Sequence, residues 1–449
     1  MALHALNVWL NGQLIGRWSW TRTDVHTFSY DSSWLESSAV RPLSRSLPIP
    51  AGEKEVKGPA VRNYFDNLLP DSDIIRDRLR ARFNATSGKV QDLLAELGRD
   101  CVGAVQLLPE DLEPTGFDQI AGEPLDEAEV ARYLRGVTSE NNFGQLEAEE
   151  DFRISIAGAQ EKTAFLWQDG SWQRPLGATP TTHIFKLPLG LVGNMRADMR
   201  DSVENEWLCM HIMAQLGFSV AHTEMAAFDG QKVLIVERFD RRRVEDGKWI
   251  ARLPQEDFCQ ATGTAPAHKY ESDGGPGITK SLEILGGSRQ AAQDKLTFAL
   301  ANLAFWLLAA TDGHAKNFSI AILPGAEYQM TPLYDILSAW PVIGGKADQI
   351  PLQRASLAMS LRGKSPHKKL QEIQTRHWQD LALQTGHPDA FSAMINLVDS
   401  VPAALEQIER ILPKAFPEHI WRSIHKGMLG QCRKFLLGLQ ALPKVKEGG

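Results

Sequence analysis

Two carboxylates and one amide in the last third of the chain are the residue types that phosphoryl transfer to a hydroxyl requires. Asp312 leads the run Asp312-Gly313-His314-Ala315-Lys316-Asn317, and Asp335 follows eighteen residues after Asn317, within Leu333-Tyr334-Asp335-Ile336-Leu337. In such a transfer the first aspartate accepts or orients the hydroxyl proton. The asparagine amide oxygen and the second carboxylate hold Mg²⁺ against the nucleotide phosphates. Each piece alone is weak, because Asp-Gly after a helix is most often a turn and an aspartate at a strand end is common. Order and spacing together carry the reading.

A phosphoryl donor also needs cationic and backbone groups around its phosphates. Lys186 lies mid-strand among Ile184, Phe185 and Leu187, where an ammonium is costly to bury without a partner. A solvent-facing edge strand is the plain alternative. The functional reading is a lysine that neutralises α- and β-phosphate oxygens and is held by a helix glutamate. Glu206 is the best candidate for that partner, and spacing leaves Glu204 open. The segment from Ser155 through Ala157, Gly158, Ala159, Gln160 and Glu161 to Lys162 is a small-residue loop whose N–H groups suit phosphate oxygens, although alone it is a hairpin turn. Val236-Glu237-Arg238-Phe239 ends a strand before the helical half, where backbone groups would face an adenine ring. The glycine-rich Asp273-Gly274-Gly275-Pro276-Gly277 precedes no clear βα unit and reads as a plain loop.

These residues must be placed by surrounding elements. Val8 to Ile15 alternates around Asn11-Gly12, the signature of a tight hairpin. Helix-compatible stretches follow at Ala60–Leu69, Asp71–Phe83 and Val90–Leu97, so residues 1–110 read as a small α/β subdomain. Asp118 to Asp151 carries ten acidic and two basic residues, and residues 111–150 read as a solvated connector with a helix near Leu125–Arg135. Residues 151–245 read as strand, loop, strand, strand, helix, strand, the helix spanning Ser202–Leu216 with Gly217 as its cap. Residues 246–449 read as mainly helical, with one long buried helix over Gln290–Ala310.

The chain has 449 residues, 43% hydrophobic and 23% charged, which excludes a largely disordered protein. Its longest nearly apolar run, Phe298–Ala310, is too short to span a bilayer of ~20 residues, so no membrane is expected. Four scattered cysteines without a CxxC pair argue against zinc and disulfide scaffolds and fit a reducing cytoplasm. The net charge is −7 (48 − 55), yet Leu361–Gly449 carries 13 basic and 8 acidic residues. Arg362, Lys364, Lys368, Lys369 and Arg376 read as a solvated helical surface or a phosphate-contacting face.

Several long strings resemble one family. Asp151–Thr163, Thr179–Pro188, Val236–Arg242, Leu253–Asp257 and Thr311–Ser319 resemble the HipA family of bacterial serine/threonine kinase toxins of type II toxin–antitoxin modules. Tyr64–Ser72 and Glu96–Asp100 resemble its N-terminal domain. The resemblance implies an α+β, bilobal protein-kinase-like fold, with a β-rich N-lobe, an extra small N-terminal subdomain and a mainly α-helical C-lobe. It implies a non-specific serine/threonine protein kinase using ATP and Mg²⁺. Asp312 would accept the proton, Asn317 and Asp335 would bind Mg²⁺, and Lys186 would meet the ATP phosphates. Ala157 to Lys162 would line those phosphates, Glu237 to Phe239 the adenine, and His314 to Asn317 with Tyr334 would complete the pocket. Ser155 matches the family's autophosphorylated serine.

The resemblance further implies a HipB-type helix-turn-helix antitoxin dimer, operator DNA bound with it, and an aminoacyl-tRNA synthetase substrate, best known as the glutamyl enzyme. Such a toxin inhibits translation, promotes persistence and co-represses its own operon in the cytoplasm, at the nucleoid when joined to its antitoxin. The basic position expected for DNA contact falls on Leu383-Gln384-Thr385-Gly386, which carries no charge; Lys368 and Lys369 are the substitutes. Two other readings stand beside this one: an atypical small-molecule or lipid kinase, and an inactive subunit that binds antitoxin and DNA.

Overall fold

A computed structural model describes residues 4–52, 55–138, 156–158, 160–192, 197–363 and 365–442. Ser155, Ala159 and Lys364 lie outside the described residues. The chain divides into two units, each assembled from sequence-distant pieces. The first comprises 1–188, 221–269 and 318–331, and the second 189–220, 270–317 and 332–449.

In the first unit, Asn11 and Gly12 both take positive φ and close the hairpin between His4–Leu10 and Gln13–Trp20. These strands sit in a five-stranded antiparallel sheet with His26–Tyr30, Glu55–Lys57 and Val105–Leu108. The helices Pro59–Asp66 and Val90–Leu97 cover it, and Trp18 stacks on Phe65 with ring centroids 4.0 Å apart. Burial of such large aromatic surfaces is what holds a small sheet in place.

The same unit holds a six-stranded antiparallel sheet. Its order is Thr223–Phe228, Gln231–Glu237, His183–Lys186, Lys162–Gln168, Ser171–Pro175 and Gly122–Pro124. The helix Glu127–Thr138, in the acidic stretch, lays Val130, Tyr133 and Leu134 against Phe165, Phe185 and Val233. A third, three-stranded sheet joins Gln255–Asp257, Ser319–Ile322 and Tyr328–Met330.

The second unit is mainly helical, with Ser202–Gln215, Ile278–Leu285, Ala291–Leu308, Thr375–Thr385, Ala390–Ile411 and Glu418–Gln440. The helix Ala291–Leu308 is buried on every side from Ala301 onward, as an all-round apolar helix must be. Its Trp306 donates Nε1–H to the Leu370 carbonyl at 3.1 Å and lies 5.7 Å from the Trp378 ring. One difference from the helical expectation is the hairpin of Ser356–Arg362 and Pro366–Lys369. It carries Arg362, Lys368 and Lys369 on strands, because Leu357, Met359 and Leu361 are buried with period two. Among the described residues, no helix is long and apolar enough to cross a membrane.

Candidate active site

The helix Ala291–Leu308 stops because Ala309 adopts a left-handed conformation, φ 50°, and turns its N–H back to the Phe305 and Trp306 carbonyls. The chain then passes close to the helix it has left. A side chain at Gly313 would place Cβ 2.5 Å from the Phe305 ring, so this position accepts only glycine. His314 N–H reaches the Asp312 carbonyl at 2.7 Å, and Asn317 N–H reaches the His314 carbonyl at 2.9 Å. These bonds wind the loop into the short turn Ala315–Asn317.

That turn brings Asn317 to Asp335. The buried Asn317 amide donates Nδ2–H to the Asp335 carbonyl at 3.0 Å, leaving its Oδ1 as the end that can ligate a cation. Asp335 itself sits at φ 60°, a strained conformation for a side-chain-bearing residue and one that collects at functional sites. Tyr334 donates its hydroxyl to the Lys316 carbonyl at 2.9 Å, a second tie between the two segments. Asp312 is different, its side chain 61% exposed. Its Oδ1 accepts the Tyr270 hydroxyl, and the His314 Nε2 stands 3.9 Å from the same oxygen. The second unit therefore gathers Asp312, His314, Ala315, Lys316, Asn317, Tyr334 and Asp335 on one loop pair.

Residues outside the sequence reading hold that pair. Asn205, on Ser202–Gln215, exchanges two 2.8 Å hydrogen bonds with the backbone of Ser338, and Ser338 Oγ donates to the Leu308 carbonyl. The Leu333 N–H meets the Ser219 carbonyl at 2.9 Å. The only hint in the sequence is a buried-type helix with an asparagine among Val203, Leu208 and Cys209.

The donor-side residues lie in the first unit. His183–Lys186 is flanked by strands on both sides, and Lys186 is 6% exposed, so the edge-strand alternative does not hold. In the loop, Lys162 Nζ donates to the Ala157 carbonyl at 2.6 Å and Gln160 Nε2 to the Leu187 carbonyl. Glu161 pairs with Arg78, while the Gly158 carbonyl accepts the Asp71 N–H at 3.0 Å. These contacts fasten the loop to its surroundings.

Arg238 also turns inward. Its guanidinium is buried against Asp240, Asp100, Thr181 and the Cys101 carbonyl, and its N–H is taken by the Thr182 carbonyl at 2.9 Å. Glu237 is exposed and Phe239 half-buried. Arg241 and Arg252 join the same cluster through Asp100 at 3.0 and 3.1 Å. Burial would raise the Asp100 carboxyl, but Arg241, Arg252 and Arg238 outweigh it and hold the group well below the carboxylate range. Burial, followed by the neighbouring Arg238 charge, brings Arg241 down to about 10.

Glu206 and Glu204 are both buried on Ser202–Gln215 in the second unit. Among the described residues no three His, Cys, Asp or Glu side chains form a cation cage. One amide oxygen and one carboxylate are the complement that Mg²⁺ takes when phosphates supply other ligands, and Asn317 with Asp335 fits that requirement.

The chain matches two family models, the HipA N-terminal domain over residues 6–108 and the HipA-like C-terminal domain over residues 154–407. It is 34% identical over 421 residues to a Sinorhizobium fredii protein named "Putative kinase Y4mE", covering 91% of this chain and 92% of that one. It is 24% identical to the serine/threonine-protein kinase toxin HipA of Shewanella oneidensis, across 96% of both. The HipA chain in a Shewanella oneidensis complex of HipA, HipB and operator DNA superposes with a TM-score of 0.78 at 22% identity, covering 98% of this chain and 100% of that one. With both family domains present in order, the chain belongs to the HipA family.

Proposed function

We propose that the chain is an ATP- and Mg²⁺-dependent serine/threonine protein kinase that acts as the toxin of a toxin–antitoxin pair. The observation that carries this reading is the Asn317–Asp335 tie, with Asn317 Oδ1 left to ligate and the exposed Asp312 on the same loop. Asp312 takes the proton from an acceptor serine hydroxyl as its oxygen bonds to the γ-phosphorus. The bond from phosphorus to the bridging oxygen breaks, and ADP leaves with that electron pair. Bound Mg²⁺, held by Asn317 and Asp335, would neutralise phosphate charge. Lys186 meets the phosphates, and the chain at Glu237–Phe239 offers carbonyl groups to the adenine.

Ser155 is the proposed self-phosphorylation site. A phosphate there brings a charge of about −1.5 to −2 into the loop that lines the ATP phosphates, which repels nucleotide and makes the modification an off switch. The substrate class is an aminoacyl-tRNA synthetase, and the partners are a HipB-type antitoxin and operator DNA, as in the Shewanella complex. Lys368, on the exposed hairpin, is available for a DNA phosphate, whereas Lys369 is shared with Glu372 at 2.9 Å.

Intact-protein and peptide mass spectrometry, with and without Mg-ATP, tests the reading on the parent chain and on Asp312→Gln. One phosphoryl group on Ser155 in the parent alone is the expected result. No gain in either protein and no ATP binding would leave the inactive antitoxin-binding subunit as the better description.

A further inference from the structure

The glycine-rich loop Asp273–Gly277 has no phosphate role in this reading, yet it shapes the residue that touches Asp312. The Tyr270 carbonyl accepts the N–H groups of Asp273 and Gly275 at 3.0 and 2.9 Å, so the loop folds back on the tyrosine backbone. Gly274 takes φ 92° to allow that turn. Glu271, next in the chain, anchors the loop to the strand Ser356–Arg362. Its Oε2 accepts both the backbone N–H and the hydroxyl of Ser360. A Cβ at Gly277 would come within 2.5 Å of the Glu271 carboxyl, so glycine there leaves room for the anchor. All of these groups belong to the second unit.

Tyr270 leaves this braced turn with two contacts. Its ring meets the His314 ring edge to face, 5.0 Å between centroids at 84°, and its hydroxyl donates to Asp312 Oδ1. The His314 Nε2 approaches the same oxygen. Both contacts therefore fall on Oδ1, and Oδ2 is the oxygen left to face an acceptor hydroxyl. A solvent-exposed aspartate otherwise rotates freely about its carboxyl bond, and proton acceptance needs one oxygen aimed within hydrogen-bond reach.

We propose that Tyr270 is a positioning residue of the phosphoryl transfer: by holding Asp312 Oδ1 it presents Oδ2 to the acceptor hydroxyl. The inference rests on the kinase reading and adds to it a residue 42 positions upstream of the proton acceptor. Tyr270 donates a hydrogen bond throughout and keeps its proton. The acceptor proton goes to Asp312.

The experiment follows self-phosphorylation of the full chain over time at graded Mg-ATP. It compares the parent with Tyr270→Phe, which keeps the ring against His314 and removes only the hydroxyl. The expected result is a maximal rate lowered about tenfold, the scale of losing one orienting hydrogen bond, with the half-saturating ATP concentration and the melting midpoint unchanged. Added to Asp312→Asn, Tyr270→Phe should change the residual rate less than twofold, because its effect passes through that carboxylate. Gly277→Ala, which crowds the Glu271 anchor, should lower the rate in the same way. A Tyr270→Phe rate equal to or above the parent's overturns the inference, and so does a change confined to half-saturating ATP. A parent that gains no phosphoryl group removes the kinase reading and this inference together. A phosphorylating parent with an unaffected Tyr270→Phe removes the inference alone.

Discussion

Burial pushes the Glu256 carboxyl up to about 7, even though the Arg45 N–H donates to its Oε1 at 2.9 Å. The side chain is fully buried on the short strand Gln255–Asp257, where a charged carboxylate has lost its water. The folded value lies above the ordinary 4.5, so the folded state binds the proton more tightly than the unfolded chain. That contribution is complete below pH 4.5 and is lost as the pH rises to 7, a change of about 3 kcal/mol. Glu256→Gln keeps the uncharged form at every pH. Thermal melting at pH 5 and pH 8 should therefore show a falling midpoint for the parent and a flatter profile for the variant. An equal fall in both would assign the pH dependence elsewhere.

Between elements, the Asn205–Ser338 exchange joins the helix Ser202–Gln215 to the segment that carries Asp335. Both partners are buried, so removing the amide leaves a Ser338 carbonyl and N–H without water or protein to meet them. Asn205→Ala should cost about 2–3 kcal/mol, read as a lowered urea midpoint. It should also weaken Mg-ATP binding, measured calorimetrically, because the left-handed Asp335 depends on its neighbours to stay in that conformation. A stability loss with unchanged Mg-ATP affinity would separate the latch from the proposed metal ligands Asn317 and Asp335. The long helix Ala291–Leu308 supplies the other fixed point: its left-handed cap at Ala309 sets where the Asp312 loop begins.

On the scale of the whole molecule, the conspicuous charge feature of the first unit is the buried cluster of Asp100, Asp240, Arg238, Arg241 and Arg252. It ties the end of the N-terminal sheet region, through Asp100 and the Gly103 backbone, to the chain that follows the strand Gln231–Glu237. Three guanidinium groups face two carboxylates, so the cluster already holds one excess positive charge. Asp100→Asn would leave two. Breaking such a buried set by removing one partner costs about 3–5 kcal/mol, and the expected outcome is a protease-sensitive first unit at neutral pH. An Asp100→Asn chain as resistant as the parent would show that the remaining carboxylate and carbonyls suffice.

This cluster also explains why two strings resembling the family, Glu96–Asp100 and Val236–Arg242, sit so far apart in the chain. They meet in space through Asp100 and Arg238 at 3.3 Å. The sequence reading gives Arg238 a backbone role beside an adenine ring, and its guanidinium lies in this interior. A sequence displays residue types and local order, and a buried partner 138 positions away is invisible to both.

What local order does display, it displayed well. The Asn11-Gly12 hairpin, the helix Val90–Leu97 and the helices Ser202–Gln215 and Ala291–Leu308 follow from turn chemistry and 3.6-residue periodicity. The spacing of Asp312, Asn317 and Asp335 suggests a phosphoryl-transfer chemistry, and the fold brings the three onto one loop pair. The short strands of the Ser356–Arg362 hairpin were not visible in the helical half, since four to seven residues of alternation are weak against their surroundings. Closure of the chain decided the rest: Asn317 to the Asp335 carbonyl, Asn205 to Ser338, and Tyr270 to Asp312. These are single hydrogen bonds between segments 18, 133 and 42 residues apart. They form only once burial of the helices and sheets has brought those segments within 3 Å, so no pattern along the chain encodes them one at a time.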